Sequence, residues 1–334
     1  MKRVYTIFTL MALLLTLLLS ACGGNSTTDN QPSQPVANNA ANQLAEEPAE
    51  DEEPAPAIEV VDSLGETLVL TAPAQRIISL APSITEILFA IGAGDQVVGR
   101  EDFANYPEEV VALPSIGGTW GELNVEAMLA LEPDLILAAP LTTQEQVASM
   151  TDVGLNVFLM PNPTTMEGMY DLLRTAAKIT GHEEETEDLI ADLITRVDAV
   201  TAVVAEAETT PVVFYELDGT SDPAAPWTTG PGTFIDTLIT MAGGKNVSGD
   251  LDGAWVQISA EELISRNPDV IILGDAIWGV TVESVGQRAG WEAIHAVSAG
   301  TVYPFNDDLA SRPGPRLVDG LEELARLIHP ELFE

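Results

Sequence analysis

Three histidines, one cysteine, five tryptophans and a few arginines are the residues of this chain with the most chemistry to offer. Their spacing speaks against catalysis. His182, His295 and His329 stand far apart, and none has a second ligand at the short spacing a metal site uses, so surface or capping roles are expected and metal ligands are not. There is no Gly-x-Ser-x-Gly elbow, no Walker-type phosphate loop and no Cys–His pair. Gly230-Pro-Gly232 is too short for a dinucleotide fingerprint, and its proline makes it a turn. Binding chemistry is better represented. Arg312, in Ser311-Arg-Pro-Gly-Pro-Arg316, offers a planar guanidinium to a phosphate or carboxylate. Arg100 ends a predicted strand, where open α/β sheets place ligands. Asp307 and Asp308 can pair with these arginines or accept N–H groups from ligand amides. Arg316 is expected to open the final helix. Nothing in these residues favours an enzyme; a binding protein and a surface scaffold or adhesin are the other classes.

The chain ends carry a second kind of chemistry. Met1-Lys-Arg is followed by an apolar run from Val4 to Leu19 and then by Leu19-Ser-Ala-Cys22. A basic start, a short apolar core and small residues before a cut are the anatomy of a secretory signal. The run is shorter than the ~20 residues a spanning helix needs. Leu-Ser-Ala-Cys resembles the bacterial lipobox, which makes Cys22 the expected lipidation site and new first residue. Two or more acyl chains there would give stable anchoring at the outer face of the cytoplasmic membrane. Residues 23–57 are poor in large apolar side chains and carry an acidic cluster from Glu46 to Glu53, so a disordered, self-repelling tether is expected. The formal charge of −39, from 52 acids against 13 bases, excludes nucleic acid as a natural partner.

The rest of the chain must position the arginines. Arg76–Ala81 reads as a strand, Pro82-Ser83 opens a helix, and Ser83 with Glu86 has capping-box spacing. Val97-Val-Gly99, Asp134–Ala138 and Leu155–Met160 read as further strands, and Asn124 caps a helix ended by Pro133. A similar series follows: strand Val212–Tyr215, helix Thr233–Ala242, a helix capped by Ser259 with Glu262 at the capping-box position, and strand Asp269–Leu273. The pattern of helix, Pro-Asp and apolar strand thus occurs twice, at Leu131–Leu137 and at Arg266–Leu273. Strands alternating with helices imply parallel βαβ units, and two sets imply two similar α/β lobes with mostly parallel sheets. The boundaries read as a signal over 1–22, a tether over 23–57, a lobe over 58–182, a connecting helix over 183–208 and a lobe over 209–334. That helix would be about 39 Å long, a rigid link that bends little. The cleft between the lobes is the expected ligand site.

The stretch Arg76-Ile-Ile-Ser-Leu-Ala-Pro-Ser-Ile-Thr-Glu-Ile-Leu-Phe-Ala-Ile-Gly-Ala-Gly-Asp-Gln-Val-Val-Gly-Arg100 resembles the opening of the helical-backbone class of periplasmic binding proteins, which serve cobalamin, iron–siderophore and haem importers. The resemblance continues through Asn105-Tyr-Pro107, the segment Asn124–Ala138, Thr229-Gly-Pro-Gly-Thr233, Met241–Val247, Ser259–Asp269 and Arg312–Arg316, and covers residues 73–333. It implies a monomeric protein with no resident cofactor that hands a corrinoid or ferric siderophore to a permease dimer and its ATPase. Haem or another metal complex is the alternative ligand, with Tyr215 and Tyr106 as candidate axial ligands. An extracellular enzyme on the same fold is the remaining alternative. By position, Glu126 and Glu261 resemble the acids that dock the two lobes on permease arginines, with Glu262 the nearby rival. Phe103, Trp120, Trp227 and Trp255 resemble cleft aromatics of the cobalamin-binding member. Ala139 stands where that member has a tryptophan.

Overall fold

The computed structural model describes residues 57–118, 121 and 123–333. Cys22, the signal segment, almost all of the expected tether and Trp120 lie outside these residues.

The first lobe begins with an antiparallel hairpin, β1 (Ile58–Val61) with β2 (Thr67–Leu70). It continues as β3 (Ile77–Ser79), α1 (Pro82–Ala90), β4 (Val97–Arg100), α2 (Val125–Ala130), β5 (Leu135–Ala138), α3 (Gln144–Thr151) and β6 (Val157–Leu159). The sheet order is β4-β3-β5-β6, with every pair parallel. All four residues of β5 are buried, as a strand covered on both faces must be.

Two helices follow: the first packs on β1 and α1 of the first lobe, and the second packs on the first and on the last helix of the second lobe. α4 (Met166–Thr180), which the sequence reading did not place, ends on Gly181 at φ 80°. α5 (Glu183–Val204) is 22 residues long and stops four residues short of the expected Glu208. Its acidic first turn suits the positive end of the helix dipole. Ile190, Leu193, Val197 and Val200 form its buried stripe at helical spacing.

The second lobe runs β7 (Val212–Asp218), β8 (Trp227–Thr229), α6 (Phe234–Met241), β9 (Lys245–Asn246), β10 (Trp255–Gln257), α7 (Ala260–Arg266), β11 (Val270–Leu273), α8 (Val282–Gly286), α9 (His295–Ala299), β12 (Val302–Pro304), α10 (Asp308–Ser311) and α11 (Leu317–Ile328). Its sheet is mixed, in the order β10-β8-β7-β11-β12, with β9 also on β7. β7, β11 and β12 are parallel, whereas β8 and β10 form an antiparallel ribbon on one edge. The fold is thus α/β with two lobes of mostly parallel sheet.

The repeated Pro-Asp motif has one structural job in both lobes. Asp134 accepts the N–H groups of Gln75 and Arg76 at 2.7 and 3.1 Å, and its own N–H reaches Arg76 O. Asp269 accepts the N–H of Val212 at 2.8 Å, and its N–H reaches Val212 O. Each aspartate clips the start of its lobe's central strand to the strand beside it. The residue before each proline, Glu132 or Asn267, has a φ of 47°.

Two expected capping boxes are not closed. α1 begins at Pro82, whose fixed φ suits a first turn, with Ala81 at the cap and no side-chain cap bond. Glu86 turns instead to Arg312 and Arg316, because a buried carboxylate gains more from two cations than from one helix N–H. At α7, Ser259 Oγ accepts the Glu262 N–H, but the Glu262 carboxylate pairs with Arg266 at 2.8 Å. The expected cap by Asn124 on α2 does form, and Thr233, read as the first helical residue, caps α6 instead.

One continuous apolar core takes in Ile77 and Leu135 from the first lobe, Leu173 and Leu193 from α4 and α5, and Val213, Ile272 and Leu321 from the second. Smaller clusters lie on the outer side of each sheet, around Met128 and Met150 in one lobe and Phe214 and Trp291 in the other. A core shared by both lobes restricts hinge motion along with the long helix.

Candidate ligand cleft between the lobes

The carboxyl ends of the parallel strands of both lobes face one cleft of about 610 Å³. This is the position that open α/β sheets give their ligands. From the first lobe come the turns after β3, β4, β5 and β6, represented by Ser83, Phe103, Leu141 and Asn162. From the second come Trp255 of β10, Trp278 after β11, and Asp307 with Arg312 after β12. Phe103, Trp255 and Trp278 are 48, 55 and 68% exposed, respectively. Large aromatic side chains left open on facing walls of a cleft are suited to stacking against a flat ligand.

Trp278 was not singled out from the sequence. It ends a 3₁₀ turn that follows β11, and Gly279 after it takes a φ of 97°. The signal available was Trp-Gly shortly after the second Pro-Asp strand. Trp227 shares a face of the β8–β10 ribbon with Trp255, since Trp227 opposes Gln257 and Trp255 opposes Thr229. It is half-exposed but does not line the cleft.

The arginines divide. Arg312 lines the cleft, yet much of its guanidinium is engaged: Nη1 reaches Glu86 at 2.8 Å and Asn105 Oδ1 at 2.7 Å, and Nη2 reaches Asp308 at 2.8 Å. Arg316 joins the same Glu86 oxygen at 3.0 Å and lies 4.1 Å over the Tyr106 ring. Two cations of the second lobe thus clasp Glu86, Asn105 and Tyr106 of the first. Burial pushes the Glu86 carboxyl above the usual range, against the pull of Arg312 and Arg316. Asp308 serves this clasp and is not among the residues lining the cleft. Arg100 sits at the strand end, as expected, but its side chain turns away from the ligand position. It is buried and donates to the carbonyls of Val110 at 2.9 Å and Glu101 at 2.9 Å. Position along a strand was legible; the direction of the side chain was not. Arg100 fixes the loop that carries Phe103.

Tyr215 is fully buried and donates to Asp307 Oδ1 at 2.7 Å. Burial first, and Asp307 beside it, raise its pKa well above the ordinary tyrosine value. Burial also raises Asp307. His329 is buried rather than on the surface, with Nε2 at 3.2 Å from Gly243 O and Nδ1 at 3.1 Å from Glu331. Among the described residues no group of three or more His, Cys, Asp or Glu is placed to hold a metal ion.

Deeper in the second lobe, Glu216 is gripped by Arg288 through both oxygens, at 2.5 and 2.7 Å. The Arg288 guanidinium also lies 4.5 Å over the Trp291 ring. Asp275 adjoins this pair and accepts the Gly219 N–H at 2.7 Å. Burial, with the Glu216 charge second, pushes Asp275 up to about 7.

Glu126 and Glu261 lie in the first turns of α2 and α7, in equivalent places beside the two Pro-Asp clips. Both are exposed, and neither side chain has a hydrogen bond or ion pair among the described residues. Glu262, the rival of Glu261, is occupied by Arg266.

Two α/β lobes on a shared helical backbone, with the strand ends facing a common cleft, define a solute-binding protein. The chain belongs to the periplasmic binding protein family, which it matches over residues 77–309. It is 31% identical over 284 residues to an uncharacterized ABC transporter substrate-binding lipoprotein of Bacillus subtilis, covering 83% of this chain and 87% of that one. It is 28% identical over 276 residues to a cobalamin-binding protein of Halobacterium salinarum, covering 80% of this chain and 73% of the relative. The structure is similar, with a TM-score of 0.70 and 26% identity, to a periplasmic heme-binding protein from Roseiflexus in its apo form, over 78% of this chain and 99% of that one. Among the described residues no helix is long and apolar enough to cross a membrane.

Proposed function

We propose that this protein is the lipid-anchored, extracytoplasmic solute-binding component of an ABC importer, and that its ligand is a corrinoid. The observation that carries the reading is the set of three exposed aromatic rings on opposing walls of one cleft, Phe103 from the first lobe and Trp255 and Trp278 from the second. Trp120 remains an expected cleft aromatic, and Trp227 lies beside Trp255 outside the cleft lining. Arg312 lines the same cleft, with Nη1 held by Glu86 and Asn105 and Nη2 by Asp308 and the Phe103 carbonyl. Cys22 carries the acyl anchor. Glu126 and Glu261 dock the loaded protein on arginines of a permease dimer through charge-assisted pairing, and the ATPase drives release inward.

Haem or a ferric siderophore is the second reading, and likeness to a heme-binding protein supports it. Among the described residues that line the cleft there is no histidine or tyrosine to serve as an axial ligand. A corrinoid brings its own axial ligands and asks the protein only for stacking and hydrogen bonds. The two readings separate in one titration. Tryptophan fluorescence of residues 58–334 is followed against cyanocobalamin, haem and ferric siderophores in parallel, corrected for ligand absorbance. Saturable quenching by cyanocobalamin at micromolar or lower concentration is the expected result. Saturation by haem or a ferric siderophore alone would replace the corrinoid reading.

A further inference from the structure

A side chamber of about 80 Å³ lies beneath Phe103, walled by Leu80, Ala81, Pro82, Phe103 and Ala139, with Glu101 its only polar lining residue among those described. Ala81, Pro82, Phe103 and Ala139 also line the main cleft, so the chamber opens from it. Glu101 is 1% exposed. Its Oε2 accepts the Phe103 N–H at 3.0 Å, and its Oε1 is buried with no hydrogen-bond partner among the described residues. An unmade bond to a buried carboxylate is costly. Glu86 Oε2 and Asp275 Oδ1 are also without a partner among the described residues, but of the three only Glu101 lines a chamber beside the cleft. An orphan acceptor at the wall of an otherwise apolar chamber next to a ligand cleft is accounted for if the ligand completes it.

We infer that Glu101 receives an N–H group of a primary carboxamide arm of the ligand, inserted into the chamber while the ring of the ligand stacks on Phe103. The inference rests on the corrinoid reading, since corrinoids carry such arms around the macrocycle. Glu101 then acts as a specificity residue. An amide brings the donor that Oε1 lacks, whereas a carboxylate arm in the same place would set two acceptors against each other. Burial holds the Glu101 carboxyl above the usual carboxylate range, and the same desolvation disfavours a second charge in the chamber.

Glu101→Gln inverts the polarity of the chamber. The Phe103 N–H still needs an acceptor, so the glutamine carbonyl turns to it and the NH₂ group faces the chamber. The test compares cyanocobalamin with its monocarboxylic acids, in each of which one peripheral carboxamide is hydrolysed. Wild-type protein is expected to bind cyanocobalamin more tightly than at least one of the acids by about tenfold or more, the effect of one hydrogen bond to a charged group. Glu101→Gln is expected to weaken cyanocobalamin by a similar factor and to narrow or reverse the preference for amide over acid. Thermal unfolding of the variant confirms that it is folded. A folded variant with unchanged cyanocobalamin affinity and unchanged amide preference would overturn the role of Glu101 while leaving the corrinoid reading intact. Failure of wild-type protein to bind cyanocobalamin would overturn both.

Discussion

The two lobes start their central strands with the same device and neutralise their buried glutamates in different ways. Asp134 and Asp269 clip equivalent strand starts, each preceded by a residue at φ 47° and a proline. At the other end of those strands the lobes diverge. Glu216 of the second lobe has its own lobe's Arg288, held by both oxygens. Glu86 of the first lobe depends on Arg312 and Arg316 of the second. The second lobe also adds the β8–β10 ribbon with its tryptophans, whereas the first offers Phe103 from a loop fixed by Arg100. The strand starts are far from the ligand and stay alike. The strand ends face the cleft and the partner lobe, and there each lobe is specialised.

The largest effect tests whether the likeness extends to the outer surface. Glu126→Ala and Glu261→Ala occupy equivalent first turns and remove no internal bond among the described residues. Each should lower uptake through the importer, and the double variant should lower it by about 100-fold or more, since truncating one side of a docked charge pair costs about 2–5 kcal/mol. Ligand affinity, measured by fluorescence titration, should not change. Loss of affinity in either variant would remove the docking role. Unequal single effects would show that the permease does not treat the lobes as equivalent.

The contrast between the buried glutamates predicts unequal damage from two arginine truncations. Arg288→Ala leaves Glu216, which is fully buried, without its cation, and should cost about 3–5 kcal/mol of stability. Arg312→Ala leaves Glu86 still paired with Arg316 at 3.0 Å, so about 1–3 kcal/mol is expected. Urea unfolding measures both. A larger loss at Arg312 would mean that the clasp between the lobes, rather than the chemistry inside one of them, dominates stability.

Asp275 gives the second lobe a pH dependence with a definite sign. Its folded-state pKa is raised from 3.8 to about 7, so between those values the native state holds a proton that the unfolded state has lost. Stability from this group is complete below about pH 3.8 and is lost as the pH rises through 7, a difference on the order of 4 kcal/mol. Asp275→Asn keeps an acceptor for the Gly219 N–H and presents an NH₂ to Glu216. It should raise the melting temperature at pH 8 and leave it nearly unchanged at pH 3.5. The slope will shrink without vanishing, because burial raises Glu86, Glu101 and Asp307 in the same direction. An unchanged slope in the variant would assign the whole effect to those other acids.

Much of the framework was legible because its signals are local. Short β-branched runs, proline and aspartate after helices, and Asn124, Thr233 and Ser259 at helix starts report on neighbours a few residues away. The acidic opening and apolar stripe of α5 did the same for the connecting helix. α4 was missed although Met166, Met169, Tyr170, Leu173 and Ala176 follow helical spacing. The β1–β2 hairpin was missed because its strands are half-exposed and alternate weakly. Glu86 looked like a capping residue because its true partner, Arg312, lies 226 positions away. Arg100 was placed at the right strand end, but only packing decides which way its side chain turns. The orphan oxygen of Glu101 is a property of three-dimensional burial and has no sequence signature.

The smallest expected effect returns to the strand starts. The lobes place different residues at the same left-handed position, Glu132 in one and Asn267 in the other. Asparagine tolerates this conformation better than glutamate, whose Cβ and longer side chain gain nothing from it. Asn267 also uses its Oδ1 to accept the His295 N–H at 2.7 Å, a bond for which Glu132 has no counterpart among the described residues. Glu132→Asn should therefore stabilise the protein by about 0.5–1 kcal/mol. Asn267→Glu should destabilise it by somewhat more, since it adds the strain and removes the bond. Thermal unfolding of the two variants measures the pair. Opposite signs would show that the positions are equivalent in backbone and differ only in how well each residue suits it. A loss at both would mean that the Glu132 side chain holds its turn in a way the shared geometry does not explain.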